Sequence, residues 1–273
     1  MAHSLTIAHN PAAGLPSSLE WQLRCVGTKV RNTVRIGKQA RQVFRNWPYF
    51  WLSRFQQRPG TLALRNGLRF LIRPQATDRS GITEVFILNS YGPVPQKAVV
   101  LDIGANIGAF SLLASQRASV VYSVEPVRSN FEMLRRNVDL NRASNVRTFR
   151  LALSDHNGAA EIRDSGVTSS LCFATEGAAE TVPTMTLEKF FQQNGIHTVD
   201  YLKMDCEGAE WSILLSTPPE VLSRIRHLEM EFHRLGDDTH PRMLCDHLRA
   251  AGFECRTTNP DLFNGCIVAH RAT

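Results

Sequence analysis

Residues 98–108, Ala-Val-Val-Leu-Asp-Ile-Gly-Ala-Asn-Ile-Gly, combine an apolar run, an acid and two glycines at a spacing that suits a small-molecule site. Ala98–Leu101 reads as a short strand buried on both faces. Asp102 follows it, and Gly104 and Gly108 flank Asn106. Glycines at a strand-to-helix turn let the backbone come close to a ligand where a Cβ would intrude. The helix expected from Ala109 aims its free N–H groups at the same place. Together these features describe a nucleotide-type cofactor site. A second set of groups lies farther along: Asp205, Glu207 and Glu210, then Glu231 and His233. Carboxylates and an imidazole can move a proton to or from a reacting hydroxyl. Each residue also has a plainer reading. Asp102 could cap the next helix, Glu125 could be a solvated loop acid, and Glu207 and Glu210 could complement a helix dipole. His233 could be a surface-loop histidine.

The elements that must position these residues alternate. Strands are expected at 98–102, 119–124, 146–153, 199–204 and 226–232, with helices at 108–117, 127–138, 186–193, 208–215 and 240–251. Residues 253–257 and 264–269 read as a terminal strand pair around an Asn259-Pro260-Asp261 turn, and short β pieces are expected up to about residue 184. Strands alternating with helices imply βαβ units and a mostly parallel sheet with helices on both faces. Ligands on such sheets bind at the carboxyl ends of the strands. Asp102, Glu125, Ser154, Asp205 and His233 all fall there. Upstream, residues 61–73 read as a β-hairpin turning on Asn66-Gly67 in a type I′ turn, and a short helix is expected around 82–91. Residues 21–46 read as a basic amphipathic helix, followed by the aromatic cluster Trp47, Tyr49, Phe50, Trp51 and Phe55. The expected organisation is a disordered tail over 1–20, a helical and hairpin extension over 21–96, and the α/β domain over 97–273.

The net charge of +6 hides a division. Residues 1–60 hold nine of the 31 Lys/Arg and one of the 25 Asp/Glu, a balance of +8, which leaves −2 for residues 61–273. A main domain with that balance argues against a nucleic-acid groove. The six cysteines form no C-x-x-C pair, which excludes a zinc or disulfide framework of the usual spacing and fits the reduced thiols of a cytoplasmic protein. No apolar run is long enough to span a membrane. The basic segment 21–58 could contact a membrane surface or a partner, or pack its apolar face on the domain with its charges in solvent.

The cofactor can be narrowed. The dinucleotide fingerprint G-x-G-x-x-G is not met, because Asn106 stands where the second glycine would be and Gly108 comes one position early. That turn is poor for a pyrophosphate and suits S-adenosylmethionine, whose amino-acid end lies against it. Glu125, 21 residues after Gly104, would accept hydrogen bonds from a ribose diol. Five segments then occur in order: Asp-Ile-Gly-Ala-Asn-Ile-Gly (102–108), Val-Glu-Pro (124–126), Leu-Ala-Leu-Ser-Asp (151–155), Thr-Met-Thr-Leu (184–187) and Tyr-Leu-Lys-Met-Asp-Cys-Glu-Gly-Ala-Glu (201–210). Over about residues 78–233 this resembles the FkbM family of S-adenosylmethionine-dependent methyltransferases.

The resemblance implies a Rossmann-like class I methyltransferase fold, with a seven-stranded, mostly parallel sheet whose last strand is antiparallel. It implies O-methylation of a hydroxyl on a sugar, glycan or secondary metabolite. By position, Asp102, Gly104, Asn106 and Gly108 would hold the methionine end of S-adenosylmethionine and Glu125 the ribose. Ala152, Leu153 and Ser154 would line the adenine pocket. His233, with an ordinary pKa near 6.5, is the expected general base, with Asp205 or Glu231 in reserve. Asp205 and Glu207 lack a clear third ligand, so no metal is expected. An NAD-type oxidoreductase on a similar sheet, or a membrane-recruited binding module without catalysis, remain as alternatives.

Overall fold

A computed structural model describes residues 36–74, 77–164, 169–170, 178–236, 239–259 and 262–271. Before the main sheet come helices α1 (residues 36–43) and α2 (Trp47–Leu52), the hairpin strands β1 (Gly60–Ala63) and β2 (Arg69–Ile72), and α3 (Asp78–Thr83). Helix α3 runs on into a π-helical turn over Glu84–Leu88. Alternation then sets in with β3 (Val99–Ile103), α4 (Ala109–Ser115), β4 (Val120–Val124), α5 (Arg128–Asn141) and β5 (Val146–Phe149). Four strands build a separate small sheet: β6 (Ala152–Leu153), β7 (Gly158–Asp164), β8 (Ser169–Ser170) and β9 (Ala178–Met185). The chain continues with α6 (Leu187–Asn194), β10 (Tyr201–Met204), α7 (Glu210–Ser216), α8 (Pro219–Leu222), β11 (His227–His233), α9 (Pro241–Ala250), β12 (Phe253–Thr257) and β13 (Asn264–Arg271).

Seven of these strands form the main sheet, in the order β12-β13-β11-β10-β3-β4-β5. The pairs β10–β11, β10–β3, β3–β4 and β4–β5 are parallel. Strand β13 runs antiparallel to both of its neighbours. This is the expected α/β architecture with its last strand reversed. The apolar runs work because successive residues of a strand face opposite sides. Leu101, Tyr122 and Leu202 enter a cluster with α6, α7 and α9. Their neighbours Val100, Val121 and Tyr201 enter a second cluster with α4 and the N-terminal elements.

Three expectations are corrected. The strand read as 146–153 breaks after Phe149, and Ala152–Leu153 pairs in parallel with β9 in the small sheet. The hairpin turn is not type I′. Gly67 alone has a positive φ there, at 95°, and Leu64 N–H donates to Leu68 O across a three-residue loop. That is the loop length served by a type I turn followed by a left-handed glycine. The helix near 82–91 begins earlier, at Asp78. Of the helix expected over 21–46, residues 36–46 are described and 36–43 are helical, and the 1–20 tail falls outside the described residues. Within the described residues, no helix is long and apolar enough to cross a membrane.

Candidate active site

At the carboxyl ends of β3, β4, β10 and β11 a cavity of about 690 Å³ opens, within the range of small-ligand sites. Gly104, Ala105 and Asn106 wall one end with Glu125 and Val127, and Ala152, Leu153 and Ile162 add an apolar face. Glu84, Tyr91, Asp205, Glu207, Glu231 and His233 line the other end.

The glycine turn is held by groups beneath it. Lys203 Nζ, on β10, donates to Gly104 O at 2.8 Å and lies 3.4 Å from Asp102 Oδ1. Burial pulls the Lys203 pKa down, but the carboxylates of Asp102, Asp205 and Glu84 outweigh that and raise it, so the ammonium stays charged. Asp102 is fully buried and accepts from Ser111 Oγ at 2.5 Å, and Ser111 Oγ accepts from Ser123 Oγ at 2.8 Å. Asp102 therefore braces the turn from below and does not line the cavity. Gly104, with φ at 76°, lines the cavity but turns its Cα hydrogens toward the protein: a Cβ there would lie 1.7 Å from Asp205 O. Gly108, with φ at 90°, lies off the cavity wall, and a Cβ on it would strike Leu134 Cδ1 at 2.6 Å. Ser154 bonds to Asp155 Oδ1 at 2.9 Å and likewise lies off the wall. So Asp102, Gly108 and Ser154 shape the site from outside it, while Gly104, Asn106, Glu125, Ala152 and Leu153 line it.

Glu125 is 4% exposed. One oxygen accepts from Asn106 N–H at 2.8 Å and the other from Val127 N–H at 3.0 Å. Burial pushes its pKa up to about 7 against the pull of those donors. Asn130 Nδ2 also donates to the oxygen that faces Val127, at 3.5 Å, so the oxygen that faces Asn106 is the one that keeps a further acceptor site. Asn106 Oδ1 is buried without a hydrogen-bond partner among the described residues, and an orphaned acceptor of this kind calls for a donor from a ligand.

The opposite end is acidic. His233 Nδ1 lies 3.2 Å from Glu210 Oε1, and its Nε2 lies 3.4 Å from Glu207 and 3.8 Å from Glu231. Burial favours the neutral imidazole, but the bond to Glu210 and the surrounding carboxylates win, and the pKa rises to about 9. The sequence-based expectation of a free imidazole near 6.5 thus meets a site whose carboxylates favour the charged ring. Glu210, fully buried, also accepts from Cys206 N–H at 2.9 Å and Gly208 N–H at 2.8 Å. Its role is to fasten the loop after β10, which goes beyond dipole complementation. Burial and the nearby Asp205 raise Glu84 and Glu207, and push Glu231 up to about 7. Asp205, Glu231 and His233 bring ligand atoms within 4.8 Å of one another, so a third group does stand beside Asp205, supplied by β11 and not by Glu207. Lys203, Glu84 and Tyr91 are among the site residues that the sequence reading left out. The Lys-x-Asp spacing of 203–205 carries a signal for the first; nothing local marks the other two.

The model of the methyltransferase FkbM domain matches residues 102–255. The chain belongs to the FkbM methyltransferase family. Its relatives include the AMB antimetabolite synthetase AmbE of Pseudomonas aeruginosa, 26% identical over 67% of this chain and 11% of that protein. The chain thus spans about a tenth of that synthetase. Another is Methyltransferase 1 of Beauveria bassiana, 24% identical over 65% of this chain and 82% of that protein. Among solved structures, the FkbM methyltransferase of Methylobacillus flagellatus is 14% identical, with a TM-score of 0.46 over 89% of this chain and 60% of that one. Membership favours a methyltransferase over the oxidoreductase alternative and makes S-adenosyl-L-methionine the expected cofactor. The cavity fits it: Asn106 Oδ1 and the Gly104 turn suit the methionine end, Glu125 the ribose diol, and the apolar wall of Ala152, Leu153 and Ile162 the adenine.

Proposed function

We propose that this protein is an O-methyltransferase that places a methyl group on a hydroxyl of a sugar, glycan or other small secondary metabolite. One observation carries the reading: a single cavity joins a nucleoside-compatible end at Glu125 to an end crowded with carboxylates. When bound, S-adenosyl-L-methionine supplies an electrophilic methyl group. The chain's own part is to align the acceptor and take its proton. Glu231 is the proposed base. Its pKa near 7 leaves a useful fraction ionised at neutral pH while keeping it basic enough to work. The charged His233, held by Glu210, positions Glu231 and Glu207 around the acceptor. Transfer should persist in a chelator, because the carboxylates around His233 favour its charged form, which cannot join Asp205 and Glu231 as a metal ligand.

Purified full-length chain with methyl-labelled S-adenosyl-L-methionine and a panel of sugars and polyol metabolites tests this. Label should arrive on oxygen, and Glu231→Gln should lower kcat by about 10²- to 10⁴-fold with cofactor affinity unchanged. Label arriving on nitrogen or carbon would overturn the O-transfer reading. An unaltered kcat in Glu231→Gln would remove the assigned base.

A further inference from the structure

The methyl-transfer site leaves one conspicuous surface unused. From Trp21 to Thr77 the sequence holds twelve Lys/Arg and no Asp or Glu. Helices α1 and α2 and the turn after them present part of this stretch on the surface. Phe44 and Phe50 are buried and stack at 4.9 Å between ring centroids, so this segment is anchored to the body. The side turned outward is both apolar and basic. Leu52 is 57% exposed, Phe55 75% and Trp47 38%. Lys38, Arg41, Arg45, Arg54 and Arg58 are exposed in the same span. The Arg54 guanidinium lies over the rings of both Trp51 and Phe55, at 5.8 and 5.6 Å, so cation and aromatics form one patch.

We propose that this face, residues 38–58, docks the protein on an anionic lipid surface. Charge complementarity and the kind of apolar group exposed carry the choice of partner. Lys and Arg gain from anionic headgroups within about a Debye length of the bilayer. Trp, with its polar N–H and apolar ring, suits the headgroup boundary, while Leu and Phe can enter the acyl region. A nucleic acid would use the cations and the rings but would leave Leu52 in water. The segment that carries the patch touches an active-site helix through its buried Phe50. Arg79 Nη1, on α3, donates to Phe50 O at 3.4 Å and its guanidinium stacks on the Phe50 ring at 5.4 Å. Ser80 and Gly81 of the same helix line the cavity. The docking itself does not depend on which hydroxyl is methylated.

Co-sedimentation of the full chain with vesicles tests the proposal. Phosphatidylcholine alone is compared with a mixture containing about one-third phosphatidylglycerol. The protein should pellet with the anionic vesicles only, and binding should weaken at about 0.5 M salt. Leu52→Ser combined with Phe55→Ser should lower partitioning by about tenfold or more, with the melting temperature and cofactor affinity of the parent chain. Arg54→Gln with Arg58→Gln should weaken binding and flatten its salt dependence. Equal pelleting of parent and Leu52→Ser/Phe55→Ser overturns the assignment to this face. Absence of vesicle binding, alongside binding of a labelled single-stranded RNA, overturns the choice of partner. So does a dimer that the double variant abolishes without any vesicle binding.

Discussion

Glu125 is a buried carboxylate whose neutral form is favoured by burial, with a pKa near 7 in the free protein. A ribose diol donates to a carboxylate and so favours the charged form. Binding must then lower the Glu125 pKa and release a proton in the window around neutrality. The sign follows: cofactor affinity should rise as pH increases from 6 through about 7 and level off above it. Calorimetry in two buffers of different ionisation enthalpy should report a fractional proton release near pH 7, lost in Glu125→Gln. No buffer dependence at that pH would contradict this state for Glu125. Glu125 is readable from sequence because an acid at the end of the second core strand is a local signal. The charge on His233 is not. It depends on Glu207, Glu210 and Glu231, which reach the imidazole from two separate segments. A histidine read in isolation keeps its ordinary pKa, and only assembly of the site raises it. The same reason hides Glu84 and Tyr91, whose hydroxyl donates to Glu84 Oε1 at 3.1 Å. Both come from the segment before β3 and join the cavity only through tertiary packing.

At the scale of elements, the strand–helix alternation is legible because strands buried on both faces need continuous apolar runs. The small sheet is not legible, since β6 holds two residues and finds its partner β9 more than twenty residues away. The glycine turn is legible as a position but not as a cause. Its two glycines look equivalent in sequence, yet one opposes backbone and the other the tip of a flexible side chain. The difference is testable. Gly104→Ala must push the loop after β10 away from β3, because Asp205 O occupies the place of the new methyl group. The overlap and the positive φ together should cost about 3 kcal/mol or more and abolish cofactor binding. Gly108→Ala carries the same φ penalty, but Leu134 can rotate away, so it should cost roughly half as much and keep measurable binding. Thermal or urea unfolding of the two variants gives the comparison. Equal losses would mean that the approach of the 205 carbonyl to Gly104 does not govern the turn.

On the scale of the whole molecule, the N-terminal elements and the sheet bury one surface together. Phe44, Leu62, Leu64, Phe70 and Ile82 share a cluster with Val100, Phe110, Leu112, Val121 and Tyr201. Hydrogen bonds reinforce that contact through two asparagines of α5, which act on the open edge of β2 as a neighbouring strand would. Asn137 Oδ1 accepts from Leu71 N–H at 2.7 Å, and its Nδ2 donates to Leu71 O at 3.3 Å and to Ile107 O at 3.0 Å. Asn141 repeats the pattern on Arg69, accepting from its N–H at 2.8 Å and donating to its carbonyl at 2.6 Å. An edge strand with unpaired backbone groups invites wrong partners, and these amides occupy them within the same chain. Asn137 is fully buried, so Asn137→Ala would strand Leu71 N–H and two carbonyls without water to replace the amide. The expected loss is about 2–4 kcal/mol. Because the clamp joins hairpin to domain, that loss should appear as one cooperative transition moved to lower urea, with the m-value unchanged. Two resolved transitions in the parent chain, with Asn137→Ala shifting only the weaker, would show that the hairpin folds apart from the sheet. A single transition also limits how the lipid-docking face can be probed. Deleting residues 1–58 would remove Phe44 and Phe50 from the shared core, so exposed-residue substitutions such as Leu52→Ser/Phe55→Ser are what can separate docking from folding.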